Sequence, residues 1–492
     1  MKSLTLTLQK RHFLASLKNW TVLGDLKETE GRIWIPATKQ WRLPASLRVW
    51  HRFENDAEPT DRGTADYLAW LETLPGNKFL SGPALRLGSY DLLPFQSGGL
   101  RFLRDYALLY DEPGVGKTLQ AVAWMVQRKP PHLVVCPKAV IGQWQDILSD
   151  TGVPATIVNP ERVSKVGFHE TIVVDEAHMF KNTAAQRTKA LQQVSKGGSS
   201  LLLLTGTPII NRPIDLWSYY LLLGERTPKQ FWTWAQRYTA PFHNGFGWDF
   251  SGASFLDELR EDMMHFALRR EEADVLNDLP RERRHRIKVQ TTAAHSSAIR
   301  GYDQDILDAI RQGSRLAGCG SLQSLRVTAA TAKAPACAEW LANYLESGGK
   351  RVVVFSGFYE PLRSSCSPVG RLYTGQNTTD DGDREENKRL FEAGEIDVLG
   401  CTYGAGGYGL NLQCANTVVL LDLPWTPAEH EQAIKRVRRR GQTESVMIVT
   451  FLCGSIIEDK IQQALDNKED VIAYLEGKGG RDLCALLDSG LR

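Results

Sequence analysis

The chain has 492 residues, 42% of them hydrophobic and 24% charged, with a formal net charge of +2. Such a length exceeds one ordinary core and predicts two or three domains, and the near-neutral charge excludes a polycation, so nucleic-acid binding would have to come from local basic patches. The longest aliphatic run, Leu201 to Leu204, is far too short for a bilayer, and the N-terminal residues lack an apolar signal core, while the eight cysteines are scattered without a Cys-x-x-Cys pair. These features predict an intracellular chain with reduced thiols, no zinc site and no disulfide framework.

Residues 1–85 read as a small accessory region. Arg32–Ile35 and Gln40–Leu43, separated by Pro36–Lys39, predict a hairpin, and Ala65 to Leu74 a short helix. Five tryptophans here (20, 34, 41, 50 and 70) are expected to form a core of large aromatics; a DNA-binding surface of aromatic and basic residues is the alternative. Next comes Leu93-Pro-Phe-Gln96, whose amide both donates and accepts and can therefore read an adenine edge.

Ala107-Leu-Leu109 predicts a buried strand. The loop Asp111-Glu-Pro-Gly-Val-Gly-Lys-Thr118 follows, and then a stretch with helical apolar spacing at Leu119, Val122, Ala123 and Val126. Strand, glycine loop, Lys-Thr and helix make a phosphate cradle. Loop N–H groups and the helix N-terminus face an anion, Lys117 reaches the outer phosphates, and the Thr118 hydroxyl is suited to magnesium. One residue departs from the general pattern: Asp111 stands where a glycine is usual.

Leu133 to Lys138 predicts a strand and turn, with Trp144 in the helix beyond. Thr171–Val174 predicts a strand that delivers Asp175-Glu-Ala-His178 at its C-terminal end, where parallel sheets place ligands. Asp175 is suited to hold magnesium and Glu176 to orient and deprotonate water. A further strand, Leu201–Leu204, ends at Thr205 and Thr207, whose hydroxyls are placed to sense the γ-phosphate. Strands alternating with helices argue for a doubly wound parallel sheet.

From residue 223 to 280 aromatics cluster (Phe231, Trp232, Trp234, Tyr238, Phe242, Phe246, Trp248, Phe250), predicting a mainly helical insertion that projects from the first lobe. After the basic segment Arg281–Arg286 a second α/β unit is expected, with strands at Arg351–Ser356, Ile396–Thr402 and Thr417–Asp422 and a helix from Glu429 that stops at Gly441. It has no Lys-Thr loop and carries arginines instead. One lobe would bind nucleotide and the other supply an arginine finger, a factor of ~10³–10⁵ in rate or about 4–7 kcal/mol of barrier.

Taken in order, these motifs resemble the Swi/Snf-type superfamily-two helicase-like ATPases: Leu-Pro-Phe-Gln96, Asp111–Thr118, Cys136-Pro-Lys138, Asp175–His178 (a DEAH box), Thr205-Gly-Thr-Pro208, Val354-Phe-Ser356, Ala405–Leu412 and Gln432–Gln442. Asp111 is what that family shows. Gln236-Arg-Tyr, Phe246–Ser254, Leu268-Arg-Arg and Asp274–Pro280 are similar to the annealing-helicase subgroup, of which phages and bacteria encode compact relatives.

The resemblance, over roughly residues 86 to 465, implies two tandem RecA-like parallel-sheet lobes, a helical insertion and a small N-terminal accessory region. It implies an accessory region 1–85, lobe 1 at 86–222, the insertion at 223–280, lobe 2 at 281–470 and a tail at 471–492. ATP would be held by Gln96, Asp111, Glu112, Pro113, Gly114, Val115, Gly116, Lys117, Thr118 and Gly409, and Mg2+ by Thr118 and Asp175. Glu176, Lys117, Arg436 and Arg439 would be catalytic, Thr205 and Thr207 would couple the lobes, and Lys138, Ser356 and Thr402 would touch DNA phosphates. The implied partner is duplex or branched DNA, bound by a monomer, with a protein partner possible through residues 1–85 and no membrane. The implied activity is DNA-stimulated translocation in replication, recombination or repair. A strand-separating DNA or RNA helicase, or a motor remodelling a protein on DNA, is the alternative.

Overall fold

A computed structural model describes residues 2–9, 12–18, 21–29, 32–44, 50, 52–72, 81–206, 213–243, 245, 247–276, 280–312, 320–406, 412–439 and 441–467. The chain divides into two compact units, Met1–Val275 and Leu276–Arg492, each with its own parallel sheet. Among the described residues no helix is long and apolar enough to cross a membrane.

The first unit opens with β1 (Leu4–Gln9), β2 (His12–Leu17), β3 (Ile33–Ile35), β4 (Gln40–Pro44) and β5 (Ala57–Pro59), ordered β3-β4-β2-β1-β5. Alternation in Leu4-Thr-Leu6 turns both leucines to one buried face. The expected hairpin is β3–β4, which pairs Trp34 with Trp41. The expected tryptophan core is corrected, however. Trp34 is 43% exposed, and the buried residues are smaller or different: Leu4, Leu6, Phe13, Leu43, Phe53 and Tyr67. Trp20 and the Trp70 side chain lie outside the described residues. The helix Arg62–Glu72 brings Tyr67 edge-on to Phe13.

A short hairpin, β6 (Leu85–Leu87) and β7 (Tyr90–Leu92), leads to the helix Pro94–Phe102 and the first parallel sheet. Its strands are β8 (Tyr106–Leu109), β9 (His132–Val135), β10 (Ala155–Val158), β11 (Thr171–Val174) and β12 (Ser200–Leu204). After a hairpin of two-residue strands, β13 (Phe242–His243) and β14 (Trp248–Asp249), β15 (Ala267–Leu268) completes the order β10-β9-β11-β12-β8-β15. Unbroken apolar runs in β9, β11 and β12 are buried along their whole length, as strands covered on both faces require.

The segment 223–280 is mainly helical, as expected, but it joins the lobe core instead of projecting from it. It holds three strands besides its helices, and β15 pairs with β8 inside the main sheet. Its helix Phe231–Tyr238 buries Trp234 and Tyr238 completely. Trp234 lies 5.2 Å from Trp217 and 5.7 Å from Tyr220, ring to ring. Aromatic side chains of this size bury more apolar area in the lobe core than a projecting arm would allow.

The second unit contains β16 (Glu282–Lys288), β17 (Val352–Ser356), β18 (Arg371–Tyr373), β19 (Val398–Thr402), β20 (Thr417–Leu420) and β21 (Val446–Leu452) in the order β16-β21-β20-β17-β19-β18, all parallel. The basic segment expected to precede this unit is its edge strand. Arg284 and Arg286 are engaged by Glu282 and Asp466, which neutralises much of that patch. The helix expected to run to Gly441 is Pro427–Ile434. Beyond it the bonds tighten: Arg436 N donates to Ala433 O and Val437 N to Ile434 O, so the arginines sit on turns.

Candidate nucleotide-binding site

In the first sheet β12 lies between β8 and β11, so the glycine loop and the acidic pair emerge from the same C-terminal edge. Parallel pairing holds the strand ends level: Thr205 N donates to Leu109 O at 3.1 Å, and Asp175 N to Val135 O at 2.8 Å.

Gly114 and Gly116 adopt φ of +90° and +88°, a conformation that side chains with a Cβ avoid. Gly116 caps the helix Lys117–Val126 from this left-handed position. The loop's N–H groups and the helix N-terminus form the concave donor surface that anions select. Lys117 Nζ donates to Asp111 O at 2.8 Å and to Glu112 O at 3.1 Å, so the ammonium closes the loop on itself. Thr118 is half-buried in the first helical turn.

Two residues expected to contact nucleotide have side chains engaged within the protein. The Asp111 carboxylate is fully buried and paired with Arg270 and Gln120, so it shapes the loop from behind. Gln96 is buried as well. Its Oε1 accepts from Leu93 N at 2.9 Å and its Nε2 donates to Val115 O at 3.0 Å, so the amide braces the loop. A methyl group on Gly116 would collide with that Nε2.

Asp175 stands at the end of β11. Its Oδ2 accepts from Trp144 Nε1 at 2.9 Å and its Oδ1 from Glu176 N at 3.0 Å. Burial pushes its pKa up to about 6; the Glu176 charge adds to this, and the Trp144 bond and the Lys117 ammonium oppose it. The influence of Lys117 places the glycine loop and the acidic pair in one electrostatic neighbourhood. Glu176 has φ +53°, uncommon for a residue with a Cβ, and its Oε2 lies 3.2 Å from His178 Nδ1. Thr205 is buried, and a Cβ on Gly206 would lie 3.4 Å from Lys117 Nζ, which sets that loop against the lysine. Thr207 lies outside the described residues.

Among the described residues no group of three or more His, Cys, Asp or Glu side chains could cage a metal. Magnesium needs no such cage, since it keeps several waters and is bound through one or two protein oxygens plus substrate phosphates. Asp175 and Thr118 are the two side chains expected to supply such oxygens.

In the second unit, Arg436 and Arg439 follow the helix Pro427–Ile434 and are half-buried. Arg436 O accepts from Leu412 N at 3.0 Å, and burial lowers the pKa of Arg439. Arg438 instead donates to Pro280 O at 3.0 Å. Gly409 lies outside the described residues. Lys138 is exposed and Thr402 half-buried. Ser356, the third residue expected to touch DNA phosphates, is fully buried, and its hydroxyl bonds with Phe358 O and N at 3.2 and 3.1 Å.

Sequence reasoning missed Trp144 and Arg270. A buried indole N–H needs an acceptor, which is the one signal that pointed to Trp144. Arg270 belongs to Leu268-Arg-Arg, noted for resemblance alone.

A profile described as the SNF2-related domain matches residues 69–151 and 155–318, and one described as the helicase conserved C-terminal domain matches 336–441. The SWI/SNF-related matrix-associated actin-dependent regulator of chromatin subfamily A-like protein 1 of Xenopus tropicalis is 28% identical over 431 residues, 79% of this chain and 45% of its own. The DNA annealing helicase and endonuclease ZRANB3 of Mus musculus is 26% identical over 436 residues, 77% of this chain and 40% of its own. The chain thus spans less than half the length of these two curated relatives. A Caenorhabditis elegans homolog of the first is 27% identical over 516 residues, 94% of this chain and 71% of its own. These three are animal proteins. Among solved structures, the Sulfolobus solfataricus SWI2/SNF2 ATPase core in complex with dsDNA aligns over 84% of this chain and 98% of its own, at 21% identity and a TM-score of 0.38. The two profile matches place this chain in the SNF2-related family of superfamily-two ATPases, and the chain's own two parallel sheets and ordered motifs agree with that assignment.

Proposed function

We propose that the chain is a DNA-stimulated ATPase that translocates on duplex or branched DNA in replication, recombination or repair. The observation that carries this reading is the glycine loop and the Asp175–Glu176 pair on one sheet edge, with Lys117 acting on Asp175. The annealing-helicase name of a relative supports DNA as the polymer.

In this reading Lys117 leaves the carbonyls of Asp111 and Glu112 for the outer phosphates, which offer it charge-assisted bonds. Thr118 and Asp175 hold Mg2+, which when bound neutralises charge developing on the transferred phosphoryl group. Glu176 orients and deprotonates the attacking water. Arg436 and Arg439 stabilise the transferring group, and Thr205 with Thr207 report its departure. Gly409 approaches the nucleotide from the second lobe, and Lys138 and Thr402 contact DNA phosphates. Residues 1–85 serve as an accessory module for DNA or a protein partner, and the motor acts as a monomer.

The test is phosphate release against single-stranded, duplex, forked and four-way DNA and an RNA duplex, for wild type and Glu176→Gln. Branched or duplex DNA should stimulate hydrolysis most, and the variant should retain nucleotide binding but lose a factor of about 10² or more in turnover. Stimulation by RNA alone would overturn the reading.

A further inference from the structure

Arg270 sits where three parts of the site converge. Its side chain is fully buried. Its backbone N–H donates to Asp111 Oδ1 at 2.8 Å, and its Nε lies 3.2 Å from both Asp111 carboxylate oxygens. One terminal nitrogen donates to Phe95 O, the residue before Gln96. The other donates to Asp111 Oδ2 and to Gln120 Oε1. Gln120 belongs to the helix that starts at Lys117. One guanidinium therefore fixes the start of the glycine loop, the helix beyond it and the helix bearing Gln96. Gly99 makes room for this, since a Cβ there would come within 2.8 Å of Gln120 Oε1 and 2.9 Å of Arg270.

The backbone around Arg270 is stitched to the same loop. Tyr110 N donates to Leu268 O at 2.9 Å, and Glu112 N to Arg270 O at 3.2 Å. Glu272 N returns a bond to Glu112 Oε2 at 3.1 Å. The pairing of β8 with β15 thus continues past both strands into the glycine loop. Val275, five residues after Arg270, is the last residue of the first unit.

We propose that Arg270 is a positioning residue that holds the glycine loop in its anion-binding shape and links nucleotide occupancy to the order of residues 266–275, where the chain leaves the first unit. This rests on the nucleotide-binding reading above. Lysine cannot replace it: a single ammonium lacks the planar fork of five N–H donors that reaches Asp111, Gln120 and Phe95 together. Because the loop and the exit segment share these bonds, ordering one favours the other, and the linkage is reciprocal.

The test uses the full chain with a fluorescent ATP analogue and Mg2+. It compares wild type, Arg270→Lys and the double variant Asp111→Asn with Arg270→Met, reading affinity, thermal unfolding and hydrogen exchange. In wild type the analogue should slow exchange across 266–275. Arg270→Lys should weaken affinity at least about 10-fold, raise KM far more than it lowers kcat, and lose the nucleotide-dependent protection. The double variant removes both buried charges, which often restores stability. It should recover the unfolding temperature but not the affinity, and it replaces Arg270→Lys if that variant fails to fold. Recovery of wild-type affinity together with stability would make Arg270 merely structural and overturn the proposal. So would wild-type chain that binds the analogue without protecting 266–275. Wild-type chain that binds no analogue would instead overturn the nucleotide-binding reading itself.

Discussion

Trp144 Nε1 donates to Asp175 Oδ2 at 2.9 Å, so the helix after β9 orients a carboxylate at the end of β11. Trp144 is buried, and its ring therefore holds the bond in one geometry. Partners that orient a metal ligand in this way change metal affinity by about 10–100-fold when removed. Trp144→Phe keeps an aromatic ring but removes the donor. The Mg2+ concentration for half-maximal ATPase should rise by about 10-fold or more, with a stability loss of about 1 kcal/mol. An unchanged Mg2+ requirement would show that Asp175 does not hold the metal through this arrangement.

Arg439 is half-buried, and burial lowers the pKa of its guanidinium. Such a desolvated cation is costly unless it meets an anion. Arg439→Lys retains charge and loses the planar fork. Turnover at saturating ATP and DNA should fall by about 10³-fold, with nucleotide affinity changed by less than about 3-fold. Single-turnover phosphate release separates the two. A loss confined to affinity would assign Arg439 to binding.

Trp234 and Trp248 lie in one segment but in different surroundings. Trp234 is fully buried among Trp217, Tyr220 and Tyr238, whereas Trp248 is 51% exposed beside Trp232. Trp234→Ala should cost about 3–5 kcal/mol in denaturant unfolding of the first unit. Trp248→Ala should cost no more than the value of one aromatic pair, about 0.5–1.5 kcal/mol. Equal costs would mean that residues 223–280 do not share the lobe core.

The contrast between these tryptophans marks what a sequence reveals. Strands β8, β9, β11 and β12 announced themselves as short apolar runs, and the glycine loop and acidic pair followed them at fixed spacing. Edge strands did not. β10 is half-buried, β15 has two residues, and β16 is written in arginines that read as a charged patch because their partners, Glu282 and Asp466, were not visible together. The site was legible to the same extent. Lys117 opens the helix after the glycine loop, and Asp175 and Glu176 follow β11, the strand expected to deliver them. The buried bonds of Asp111 and Gln96 depend on Arg270 and Val115, and no local pattern encodes contacts 159 and 19 residues apart.

His430 provides a pH test of the second unit. Burial is the main cause that pushes its pKa down to about 4; Arg284 adds to this, and Asp466 and Glu282 oppose it. The folded chain therefore keeps His430 neutral while the unfolded chain takes up a proton below about pH 6.5. Stability from this residue is complete above pH 6.5 and is lost as pH falls toward 4, by an amount on the order of 3 kcal/mol. His430→Gln removes the titration while keeping a polar side chain. Urea unfolding at pH 7.5 and pH 5 should show the wild-type second unit losing stability at the lower pH, and the variant losing distinctly less. Equal losses in both would mean that another group governs the acid sensitivity of this unit.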